Sequence, residues 1–210
     1  MNAELLAPAL TPARPLRGLS PSRIQLAPAT ERDREAIYRI RHEVFARELG
    51  QHSPNHAGRL RDALDDFNLY LVAKVEGEVA AFISLTPPNA PSYSMDKYVP
   101  RERLPFAFDG QLYEVRLLTV TPAFRGSELA ALLMYAAFRW IEAHGGTRMM
   151  AIGRREVLDL YLRGGLVPVG LAVQSGAVTY DVLQAPVSAV RERMQAFGGL
   201  LDRANHGLAR

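Results

Sequence analysis

Apolar and polar positions change period several times along the chain. RIQLAP (23–28) has the short apolar run of a strand. Thr30, with Asp33 three residues on, is a helix-start pair. Ile37, Ile40 and Val44 then recur at helical spacing, predicting a helix to about Glu48 that Gly50 ends. Residues 51–64 are polar and irregular, with a short helix expected through Arg59–Leu64. LYLVAKV (69–75) and EVAAFISL (78–85) read as strands joined by the tight turn Glu76-Gly77. A long loop follows with prolines at 87, 88, 91, 100 and 105, and loops of that length are often functional. QLYEVRLLTV (111–120) is a strong strand. Leu129, Leu132, Leu133, Ala136, Ala137 and Trp140 mark one face of a long helix, stopped by Gly145-Gly146. RMMAIG is a buried strand, 155–163 a short helix, and LVPVGLAV with AVTYDVL a hairpin across Gln174–Gly176. Val187, Val190, Met194 and Phe197 predict a last amphipathic helix within 185–210.

This order predicts an α/β (α+β) domain over 23–184 with one mixed, mostly antiparallel sheet. The unit at 111–153 is its one clear parallel crossover. Residues 1–22, rich in alanine and proline, read as a flexible or strap-like arm. They lack the continuous apolar stretch of a signal peptide, so a cytoplasmic location is the expectation.

Composition narrows the chemistry. With 210 residues, 48% hydrophobic and 22% charged, the chain can bury an ordinary core in one domain. Without cysteine there is no disulfide, thiolate metal site or cysteine nucleophile. The net charge of +3 comes with no basic run of five or more, so no nucleic-acid surface is expected. No apolar run is long enough to span a bilayer. The five histidines (42, 52, 56, 144, 206) show no ligand spacing, and no metal is expected.

The joint at 111–144 carries the strongest chemical signal. A helix N-terminus presents unpaired N–H groups and attracts phosphate. Gly126 permits a close backbone approach and Arg125 adds charge, whereas Glu128 stands where a small neutral residue would suit a phosphate. Upstream, Glu114 and Arg116 are charges on an otherwise apolar strand. Simple alternation puts 114, 116, 118 and 120 on one face. Glu114 is thus a general-base candidate, or else the partner of Arg116 in a structural ion pair.

LLTVTPAFRGSELAALLMYAAF (117–138) resembles the central motif of the GNAT superfamily of N-acetyltransferases, an apolar strand ending in Val-x-Pro followed by a glycine-bearing helix start. LYLRGGLVPVG (160–170) resembles that family's Tyr-x-x-x-Gly-Phe segment, with Tyr161 and Gly165 in place and Leu166 for Phe. The resemblance covers about residues 23–184. It implies helices on both faces of the sheet and a splayed central strand pair. In that gap Leu118, Thr119 and Val120 would bind the amide-bearing pantetheine arm of acyl-CoA or acyl-carrier protein. The turn of Arg125, Gly126, Ser127, Glu128, Leu129 and Ala130 would cradle its phosphates. An amine would attack the thioester directly, with Glu114 as base and Tyr161 as acid. Glu128 at a glycine position suggests tolerance for a carrier-protein donor or loose CoA binding.

The N-terminal half resembles a narrower branch, the acyl-homoserine-lactone synthases and N-acyl amino acid synthases. YRIRHEVFARELG (38–50) is similar to their Arg-x-x-Val-Phe helix through Arg41, Val44 and Phe45. DALDDFNLYLVA (62–73) resembles their acidic segment, with Asp65 or Asp66 in the acidic role and Asp66 taken as the substrate-binding residue. YEVRLLTV places Glu114 on their glutamate. Ser84 stands where that branch usually has an arginine, and Arg116-Leu117 replaces a Ser-Arg pair, so a homoserine-type acceptor is not implied. Arg41, Phe45, Asp66, Ser84 and Arg116 are the candidate acceptor contacts; Arg41 could also simply pair with Glu48 or an acidic loop residue. The expected activity is N-acyl transfer to a small-molecule amine such as an amino acid. Acetyl-CoA-dependent acetylation of a small amine or protein, and a non-catalytic thioester-binding module, stay open.

Overall fold

The computed structural model describes residues 24–195. The predicted arm and Phe197 lie outside them. Among the described residues, seven strands form one sheet in the order β1-β2-β3-β4-β5-β7-β6. They are β1 (Ile24–Pro28), β2 (Leu69–Val75), β3 (Glu78–Thr86), β4 (Leu112–Val120), β5 (Arg148–Arg154), β6 (Val167–Ser175) and β7 (Val178–Pro186). Only β4 and β5 pair in parallel. Helices α1 (Glu31–Arg41), α2 (Leu129–Ala143), α3 (Leu158–Arg163) and α4 (Val187–Gln195) complete the domain.

The local signals account for the ends of these elements. Thr30 and Asp33 form a reciprocal capping box at the start of α1. Glu76 and Gly77 both take positive φ, as a two-residue hairpin turn demands. Two expectations are corrected. The helix through Glu48 does not stay α: after Arg41 it widens into a π turn over His42–Glu48, with Leu49 N–H donating to the Val44 carbonyl. No helix forms over Arg59–Leu64. There Asp65 accepts from Asp62 N–H at 2.7 Å and Asp62 from Leu64 N–H at 2.9 Å. Such side-chain bonds compete with a helical ladder.

Apolar residues cover both faces of the sheet. On one, Leu71, Ile83, Tyr113, Val115 and Met149 pack under α2, α4 and Tyr161 of α3. On the other, Ile37 and Tyr38 of α1 cover Tyr70, Val72 and Phe82. The same face continues under the loop after β3, where Tyr93, Met95 and Leu104 cover Leu112, Met150 and Val182.

Two features of β4 position everything that follows. Ser84 lies opposite Arg116 and Phe82 opposite Thr119, so Leu117 and Leu118 together face Ile83 in a β-bulge. Leu117 takes φ 56°. That conformation is costly for a branched side chain. The bulge breaks the alternation. Leu118 and Val120 pack on the α2 side, while Leu117 packs on the α1 side. Glu114 and Arg116 therefore do not share a face with Leu118 and Val120, which corrects the alternation expected from sequence. The second feature is divergence. β4 pairs with β5 only from Leu112–Arg148 to Val115–Ala151. Beyond that, β4 stays on β3 as far as Val120, while β5 stays on β7 as far as Arg154. The central pair is splayed.

Candidate active site

The splay opens into a cavity of about 580 Å³. Leu117–Val120 of β4 and Ile152 and Arg154 of β5 form its throat; Arg125–Ser127 and Ala130 lie at one end, and Tyr161 of α3 faces it. β4 residues beyond Val115 have no partner on the β5 side, so an extended, amide-bearing ligand can lie there as an added strand. α2 begins at Leu129, so its first-turn N–H groups adjoin the 125–128 turn. Gly126 has φ 76° with open space where a Cβ would stand. Glycine takes that conformation without steric cost.

The segment after the π turn roofs the cavity. Arg125 sends both terminal nitrogens to the two oxygens of Glu48, each at 2.6 Å. Gln51 donates to the Tyr180 hydroxyl on β7, on the far side of the splay. Residues 48–52 thus form a strap from the β4–α2 turn to the far hairpin. The Arg125 hydrogen bond, with its charge, holds the Glu48 carboxyl below its ordinary pKa against a smaller effect of burial.

A charged wall closes the other end. Arg41, 3% exposed, donates to Asp65 at 2.8 and 2.9 Å, to Asp62 at 3.0 Å and to the Tyr70 hydroxyl at 3.0 Å. Arg116 meets the same Asp62 oxygen at 2.5 Å. Burial pushes the Asp62 carboxyl up, but Arg116 and then Arg41 outweigh it and hold it at about 2. Among the described residues, six basic side chains (Arg41, Arg61, Lys97, Arg116, Arg125 and Arg154) line the cavity against two carboxylates, Glu48 and Asp62. That balance favours an anionic ligand.

The candidates from sequence separate into two groups. Arg41, Phe45, Arg116, Leu118, Thr119, Val120, Arg125, Gly126, Ser127, Ala130 and Tyr161 line the cavity. Ser84 is fully buried across the strand pair from Arg116, and Asp66 is exposed in an ion pair with Arg61. Leu129 is fully buried in the α2 core, and Glu128, the half-buried N-cap of α2, does not contribute to the lining. Glu114 is fully buried behind Ser94 and pairs not with Arg116 but with the loop. It accepts from Ser94 N–H at 2.8 Å, Ser94 Oγ at 2.5 Å and Met95 N–H at 3.1 Å. Both its oxygens hold the turn at Ser94–Lys97. Tyr161 packs against Gly153, where a Cβ would come within 2.7 Å of its ring. Burial, reinforced by Tyr180, pushes its hydroxyl up to about 12 against Arg154, so it stays a proton donor.

Sequence reasoning missed Glu48, His52 and Asp62 as lining residues. Asp62 and Asp65, three apart in a polar segment, carried a turn signal that could have directed attention to them. Nothing local marked Glu48 or His52. Among the described residues no group of acidic or histidine side chains could hold a metal ion, and no helix is long and apolar enough to cross a membrane.

Solved structures share this architecture. The CoA-dependent acyl-homoserine lactone synthase BjaI, with SAM and isopentyl-CoA, aligns at TM-score 0.71 and 20% identity, covering 87% of this chain and 99% of that one. The AHL synthase LasI aligns at 0.64 and 15% identity, covering 78% and 89%. An acyl-CoA N-acyltransferase from Pseudomonas aeruginosa aligns at 0.55 and 16%, covering 77% and 98%. No curated protein matches the chain in sequence. The acetyltransferase (GNAT) family model matches residues 34–164, well over half of the chain. With the splayed strand pair, the bulged β4 and the glycine turn before α2, the chain belongs to the acetyltransferase (GNAT) family and is an acyltransferase.

Proposed function

We propose that this protein moves an acyl group from a pantetheine thioester, acyl-CoA or acyl-carrier protein, to the amine of a small molecule such as an amino acid. The observation that carries the reading is the splay itself. It joins the Arg125–Ser127 turn to the charged wall of Arg41, Asp62 and Arg116 through one continuous cavity. The donor's phosphate end suits the turn and the α2 N-terminus, its amide arm suits the unpaired edge of β4, and its thioester then reaches the throat. A small acceptor occupies the wall beyond, enclosed by the strap.

Direct attack suits this arrangement. With no cysteine in the chain and no serine elbow, nothing favours a covalent acyl-enzyme. The reaction needs a neutral amine, support for the tetrahedral oxyanion, and a proton for the departing thiolate. Tyr161, protonated and facing the cavity, can supply the last. BjaI, whose structure carries SAM and isopentyl-CoA, supports a donor of this class and a small-molecule acceptor.

The test is mass spectrometry of the protein incubated with acetyl-CoA, longer acyl-CoA and acyl-carrier-protein donors and a panel of amino acids and amines. Thioester consumption with an acylated small amine is the expected result. A protein that binds CoA yet consumes no thioester with any acceptor overturns the reading.

A further inference from the structure

Acylation of an amine at neutral pH begins with loss of a proton from the ammonium form, and the buried Glu114 does not serve that step. Both its oxygens already accept from Ser94 and Met95, and it stands behind the cavity wall. The cavity's own groups leave few options. The six basic side chains have no free lone pair in their charged forms. Glu48 is engaged by both terminal nitrogens of Arg125. Asp62 accepts from Arg41, Arg116 and the Leu64 N–H, which spends its basicity. Of the lining tyrosines, burial pushes the Tyr161 and Tyr180 hydroxyls up, so they hold their protons, and the Tyr98 hydroxyl donates to Ser175 Oγ at 3.4 Å.

His52 remains. It closes the strap, lines the same cavity as Asp62 and Arg116, and its ring makes no hydrogen bond to any described residue. We infer that His52 is the general base that takes a proton from the acceptor's ammonium group. The inference rests on the acyl-transfer reading above. The neutral amine then attacks the thioester carbonyl; the N–C bond forms and the C–S bond breaks. The thiolate departs as thiol with a proton from Tyr161. The second nitrogen proton, released as the intermediate collapses, restores the Tyr161 hydroxyl. The products are amide, thiol and a histidine imidazolium that returns its proton to solvent.

The surroundings keep the imidazole free to act. Burial lowers its pKa, Arg41 of α1 and Lys97 of the 94–97 turn lower it further, and Asp62 opposes them. Arg61 and Arg116 line the same cavity and add to the positive field.

The experiment measures thiol release by the full chain with acetyl-CoA and amino-acid acceptors from pH 5.5 to 9.5, for the wild type and His52→Gln, alongside the unfolding midpoint and an NMR titration of the His52 ring. The expected wild-type kcat/KM for the acceptor rises along an acid limb that matches a ring midpoint below 6.5. In His52→Gln that limb is lost and the neutral-pH rate falls by about 10²–10⁴-fold. The rate recovers towards pH 9.5 as free amine accumulates, with donor KM and unfolding midpoint unchanged. Turnover and an acid limb that persist in His52→Gln overturn the inference alone. A wild type that consumes no thioester overturns the acyl-transfer reading and the inference with it.

Discussion

Arg125, the cation of the glycine turn before α2, is held by Glu48 of the strap, with both contacts at 2.6 Å. The Glu48 carboxylate stands where a donor phosphate would seek that guanidinium. Both side chains are more than two-fifths exposed. The pair is therefore worth only about 0.2–1 kcal/mol. Glu48→Gln should release Arg125 and tighten CoA binding by about 1.5- to 5-fold. Isothermal titration would show this, and added salt should shrink the difference. Unchanged affinity would mean that the donor does not use Arg125.

Asp62 should control acid sensitivity. Its folded pKa of about 2 lies below the ordinary 3.8, so its contribution is full above pH 3.8 and is lost as pH falls through about 2. Denaturant unfolding at pH 5 and at pH 2.5 should show a drop for the wild type that Asp62→Asn flattens. The variant should be less stable than the wild type at pH 5, because Arg41 and Arg116 then share a neutral amide where they shared a carboxylate.

Glu114→Gln separates structure from catalysis. An amide presents an N–H₂ where Ser94 and Met95 both donate, so at least one charge-assisted bond is lost. The cost is about 1–3 kcal/mol, which should lower the unfolding midpoint by about 3–10 °C. An unchanged midpoint with abolished turnover would restore Glu114 as the base.

Tyr161→Phe should leave stability nearly unchanged, since the hydroxyl has no hydrogen-bond partner among the described residues. As proton donor to the thiolate it should nonetheless contribute to kcat, with a loss of about 10²-fold and KM little altered. Gly153→Ala probes the same group from behind. The added methyl would meet Leu183 at 2.6 Å and the Tyr161 ring at 2.7 Å. Such crowding should lower kcat and stability together. Full activity in both variants would exclude Tyr161 from the chemistry.

Local signals made much of the fold legible. The capping box at Thr30, the Glu76-Gly77 turn and the apolar stripe of α2 each depend on neighbours within a few residues, and each stands as read. The glycine turn at Gly126 was legible for the same reason. Where reading failed, a competing local bond or a distant partner decided. The Asp62 and Asp65 side chains replaced the expected helix at 59–64 with turns. Asp65 rather than Asp66 meets Arg41, because the turn directs the first inward while the second pairs with Arg61 at the surface.

The sequence by itself determined the element order, the single parallel crossover, the glycine turn before α2 and the family. These are written in period, caps and turn residues, which act over a few positions. Only the tertiary structure decided which charges meet. Arg41 pairs with Asp65 across 24 positions, Arg116 with Asp62 across 54, and Arg125 with Glu48 across 77. The bulge at Leu117 decided that Leu118 and Val120 turn to the α2 side, away from the face on which Glu114 meets the loop and Arg116 the charged wall. A one-residue shift in strand register reverses every side chain beyond it, and no local pattern in β4 records where that shift falls.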